Sequence, residues 1–118
     1  MSAAAEVYIT IDTATHDTRD KIESAVDMAL RGLGFDIAAD DRYKISRYQS
    51  GVIIEAKSYG CMWEVFEDTW AEKLVREIHA IDETTDMEVY VYNLDREADV
   101  CISSRYLFSE NYKERGNA

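Results

Sequence analysis

The chain has no proline and only five glycines in 118 residues. Without proline there is no polyproline spacer, and compact elements joined by short turns are the expectation. The scattered glycines make no Gly-rich loop to cradle a phosphate, and neither a GxSxG nucleophile turn nor an HExxH zinc pair occurs. Cys61 and Cys101 stand forty positions apart, outside any CxxC or Cys/His spacing. They read as two thiols rather than as a disulfide or a metal clip. Histidine is confined to His16 and His79, and His79 closes a helical pattern, where a basic side chain offsets the helix dipole. No apolar run exceeds four or five residues, against the roughly 20 of a membrane-spanning helix. The opening "MSAAAEVYIT" has no basic stretch followed by an apolar core, so a cytoplasmic location is expected.

Positive charge is scarce too. Thirteen Lys and Arg face 24 Asp and Glu, a net charge of −11. That balance argues against direct phosphate contacts with nucleic acid and against anionic membranes, and it favours basic partners. Hydrophobic residues make up 47% and charged residues 31%, which is the composition of a folded domain. One domain is expected over 1–118, with 1–5 and 109–118 as flexible ends. The charge is uneven: residues 42–60 carry +3 and residues 82–99 carry −6.

Periodicity supplies the elements. "EVYITID" alternates as a strand with Val7, Ile9 and Ile11 on one side. Residues 15–34 read as a helix with Ile22, Val26, Ala29 and Leu33 as its core stripe, ended by Gly34. "FDIAADD" fits a short strand or a loop. "RYKISRYQSGVIIEAKS" reads as a hairpin about Gln49-Ser50-Gly51. Residues 61–81 read as a second helix with Trp63, Phe66, Trp70, Leu74 and Ile78 inward. A strand follows with Met87, Val89 and Val91 on one face and Glu88, Tyr90 and Tyr92 on the other, and a last strand spans 99–108. The order β-α-β-β-α-β-β predicts an α+β fold. It has a single sheet of four to five mostly antiparallel strands and both helices on one face, a ferredoxin-like split βαβ with an added strand.

The acids at 82–99 are Asp82, Glu83, Asp86, Glu88, Asp95, Glu97 and Asp99. Asp95, Glu97 and Asp99 alternate as in a calcium loop, but the central glycine and the downstream bidentate Glu are missing, so no metal and no cofactor is expected. Tyr8, Tyr48, Tyr90 and Tyr92 fall on the sheet face that helices leave open. Aromatic sheets of this kind stack RNA bases, but the RNA-recognition signature is absent and the charge has the wrong sign. The face therefore reads as a protein interface, which also predicts a homodimer at high concentration.

The reading is a non-enzymatic protein that binds a basic surface, above all the groove of a nucleic-acid-binding protein, through the acids at 82–99 with Tyr90 and Tyr92 as anchors. Glu64, Glu67, Asp68 and Glu72 form a second candidate patch. Neutralising Asp82, Glu83, Asp86 and Glu88 is expected to spare the fold, and Glu6 and Asp12 are expected to lie outside the contact. In size, charge and lack of catalytic motifs the chain is similar to small acidic phage and mobile-element proteins that block restriction, CRISPR or other DNA-binding enzymes. Two alternatives stand beside this reading. One is a self-associating or protein-binding module whose charge serves solubility, and the other is a small enzyme or ligand-binding domain whose pocket leaves no sequence trace.

Overall fold

The computed structural model describes residues 2–12, 16–35, 43–94 and 99–108. Along the chain run β1 (Ser2–Asp12), α1 (His16–Gly32), β2 (Tyr43–Tyr48), β3 (Gly51–Met62), a 3-10 turn (Trp63–Phe66), α2 (Asp68–Ile81), β4 (Asp86–Asn93), β5 (Asp99–Ser103) and the short α3 (Ser104–Leu107). The five strands form one antiparallel sheet in the order β2-β3-β1-β4-β5. This is an α+β fold, and its strand order is compatible with the ferredoxin-like split βαβ arrangement extended by β5.

Alternation in the strands decides which face is covered. Val7, Ile9 and Ile11 of β1, Val52 and Ile54 of β3, and Met87, Val89 and Val91 of β4 are all buried. They share one core with Ile22, Val26 and Leu30 of α1 and Leu74, Val75 and Ile78 of α2. Both long helices therefore lie on the same face. Gly34 ends the α1 segment with a φ of 97°, the left-handed conformation that glycine adopts at no steric cost. Its N–H donates to Arg31 O at 3.1 Å, and Phe35 N–H donates to Leu30 O at 3.1 Å. In β2, Tyr43 packs against the core edge. Burial, with the Asp27 and Glu23 carboxylates, pushes its phenol up to about 12.

Four expectations need correction. The second helix begins at Asp68, not at 61. Cys61 and Met62 finish β3, where Met62 N–H donates to Leu33 O at 2.8 Å, and the extended backbone of Glu67 separates the 3-10 turn from α2. Trp63 and Phe66 lie in that turn with ring centroids 5.5 Å apart, and Trp70 is only half-buried. Residues 2–5 extend β1 rather than fraying, with Ala4 and Ala5 buried. In α1 Leu30 is fully buried along with Ile22 and Val26, while Ala29 packs at the core margin. Finally, the last strand stops at Ser103, whose hydroxyl accepts from Tyr106 N–H and caps α3. The expected flexible end 109–118 and most of "FDIAADD" lie outside the described residues.

Gly51 is where the hairpin meets β1, opposite both Tyr48 and Asp12. A Cβ there would stand 1.9 Å from the Ile11 carbonyl oxygen. Backbone, not a flexible side chain, would have to move. Gly51→Ala is expected to cost about 1–3 kcal/mol, read as a lower urea midpoint at unchanged slope.

Candidate partner-binding face

The residues that alternate with the core positions form the second face of the sheet. Register fixes their neighbours. Tyr8 lies opposite Tyr90 on one side and Glu55 on the other, Glu6 opposite Tyr92 and Lys57, Thr10 opposite Glu88 and Ile53, and Asp12 opposite Asp86 and Gly51. The Tyr8 and Tyr90 rings stand 6.4 Å apart at 49°, a tilted aromatic pair, and the Tyr8 hydroxyl donates to the Glu6 carboxylate. Tyr8, Tyr90 and Tyr92 are half-buried and Tyr48 is exposed.

Charge divides this face. Lys44 and Lys57 lie on the β2–β3 side, opposite Glu55 and Glu6 respectively. At the other end Asp12, Asp86 and Glu88 gather around a recess of about 170 Å³ whose lining includes Arg105. Asp12 directly opposite Asp86 is a like-charge pair, which sheets disfavour. Arg105 relieves it by pairing with Asp86 at 2.8 Å.

The predicted acids separate into different roles. Glu88 is exposed on this face, and Glu83 is exposed in the turn that leads into β4. Asp86 braces α3: its carboxylate accepts from the Ser104 hydroxyl at 3.3 Å and from Arg105, while that hydroxyl accepts from Met87 N–H at 2.9 Å. Asp82 holds the α2–β4 turn, accepting from Thr84 N–H at 3.0 Å, the Thr84 hydroxyl at 2.6 Å and the Thr18 hydroxyl of α1 at 2.9 Å. The expectation that neutralising this group spares the fold is therefore corrected at Asp82 and Asp86. Asp82→Ala is expected to cost about 1–3 kcal/mol, measured by urea unfolding, with Glu83→Gln nearly neutral in the same assay.

Asp95 and Glu97 lie outside the described residues; Asp99 opens β5, opposite Tyr92 in register. Glu64 lies in the 3-10 turn, Glu67 in the link to α2, and Asp68 and Glu72 in the first turns of α2, in the helical layer rather than on the open sheet face. Glu6, Asp12 and Glu55 were missed. The alternation of β1 gave Glu6 and Asp12 the correct face, but only the β1–β4 pairing makes them neighbours of Tyr92 and Asp86.

His79 packs by stacking on Phe108, ring centroids 3.9 Å apart, with the Arg76 guanidinium 5.8 Å from the same Phe108 ring. Cys61 is buried and Cys101 exposed. Among the described residues, no three His, Cys, Asp or Glu side chains stand close enough to hold a metal ion, and no helix is long and apolar enough to cross a membrane.

No protein-family model matches the chain, and no curated protein matches it. Among solved structures, the chain is similar to the de novo designed protein Foldit4, with 15% identity and a TM-score of 0.47 over 76% of this chain and 97% of that one.

Proposed function

We propose that this is a non-enzymatic cytoplasmic protein whose open sheet face binds a basic protein surface and so blocks or regulates a nucleic-acid-binding partner. The observation that carries this reading is the β1–β4 pairing, which sets Glu6, Asp12 and Glu88 beside Tyr8, Tyr90 and Tyr92 on one face. Tyrosines contribute large, rigid contact area with a polar tip, and carboxylates around them steer a cationic surface into place. The negative charge stands in for a phosphate backbone, as in small acidic inhibitors of restriction or CRISPR enzymes.

Affinity capture from the native host, eluted in rising salt, tests it. The expected outcome is a basic nucleic-acid-binding protein that elutes early in the salt series and competes for this protein with its own nucleic acid. Capture of partners indifferent to both salt and nucleic acid would contradict the proposal.

A further inference from the structure

Most of the basic segment of the charge profile, residues 43–60, lies in the β2–β3 hairpin, and among the described residues β2 is one of the two edge strands of the sheet, β5 being the other. Two residues, Gln49 and Ser50, close the hairpin onto the pair Tyr48 and Gly51. In a hairpin of this length the closing pair exchanges main-chain hydrogen bonds, and the pattern alternates from there. Tyr48, Ser46 and Lys44 thus bond to β3. Arg47, Ile45 and Tyr43 turn their N–H and C=O groups outward, where no strand meets them among the described residues. A row of such groups is a template for another strand. Proline, bulges and charges are the usual ways of blunting an edge. β2 has no proline and pairs with β3 without a register shift; of its two cations, Arg47 is drawn onto α1 by Glu23 at 2.8 Å and Lys44 lies opposite Glu55 of β3 in register.

We infer that β2 pairs antiparallel with β2 of a second copy, about a twofold axis at Ile45, joining two sheets edge to edge. Outward-turned residues must face outward-turned residues, which limits the registers. Centred on Ile45, the pairing sets Ile45 against Ile45, Tyr43 against Arg47, and Lys44 against Ser46. No cation faces a cation. Centring on Lys44 would oppose Lys44 to itself, and centring on Arg47 would oppose Arg47 to itself, both unfavourable. On the helical side Tyr43 and Ile45 already pack at the core margin, so the twofold contact continues the apolar layer. The contact is self-complementary, the requirement for a closed dimer. It leaves Tyr8, Tyr90 and Tyr92 outside the contact and presents two such faces per assembly, which raises avidity for a repeated partner.

The test is sedimentation equilibrium combined with cross-linking, in a Cys101→Ser background that removes the exposed thiol. In the Ile45-centred register, positions 44 and 46 of opposite copies form a non-hydrogen-bonded pair with Cα atoms about 4.5 Å apart, within disulfide reach. The mass is expected to rise with concentration from 13.5 kDa toward twice that value. Mild oxidation should link the Lys44→Cys, Ser46→Cys double variant as a dimer and neither single variant. A monomer at every concentration, or a dimer that this double variant does not link, would overturn the inference.

Discussion

Replacing Glu88 with Gln and both Tyr90 and Tyr92 with Ala is expected to weaken partner binding by about 2–4 kcal/mol, roughly 30- to 700-fold. Two large contact side chains would be lost from the centre of the proposed interface, together with the exposed carboxylate on their strand. The fold should survive, because all three alternate with the buried Met87, Val89 and Val91, and a cross-strand pair such as Tyr8–Tyr90 contributes only about 0.2–1 kcal/mol. Neutralising Glu64, Glu67, Asp68 and Glu72 removes more charge from the helical layer and is expected to change binding less than about threefold, since single exposed pairs contribute about 0–1 kcal/mol. Calorimetry on the captured partner, with circular dichroism as the check on folding, separates the two variants. Equal losses from both would mean that net charge, not the face, drives binding.

The largest expected effect on stability is at the centre of the sheet. Ile9 is fully buried on β1, between Ile54 of β3 and Val89 of β4, both also fully buried. Ile9→Ala is expected to cost about 2–5 kcal/mol, a large share of the stability of a domain of this size. Trp70 carries a bigger side chain but is half-buried, lining a groove of about 340 Å³ between α1 and α2 with Ala25, Met28 and Ala29. Trp70→Ala is therefore expected to cost about half the roughly 3–5 kcal/mol of a fully buried Trp. Equilibrium urea unfolding measures both. A larger loss at Trp70 than at Ile9 would move the centre of the core from the sheet to the helix–helix seam.

The sheet and its covered face were legible because strand alternation and the helix stripes agree on the same apolar residues. The start of α2 was not. Trp63 and Phe66 continue its apolar spacing back through a 3-10 turn, and what carries β3 on to Met62 is pairing with Ser2 of β1, a long-range contact. The same limit applied to the site. Alternation was enough to set Glu88, Tyr90 and Tyr92 apart from the core. Which acids are engaged internally was hidden, because the Thr18 that binds Asp82 is 64 positions away and the Arg105 that binds Asp86 is 19 away. Alternation shows which side of a strand a residue occupies, and only the strand order shows what lies beside it.

The most direct test of the proposed contact surface is an NMR titration with the captured partner that follows the tyrosine rings and the tryptophan indoles together. The tyrosines report on the open sheet face, and Trp63 and Trp70 report on the helical side. Binding at the acidic sheet face predicts that the Tyr8, Tyr90 and Tyr92 ring signals shift on addition of partner and return as salt is raised, while both indole signals stay in place. Shifts confined to Trp63 and Trp70, with the three tyrosines unmoved, would contradict it.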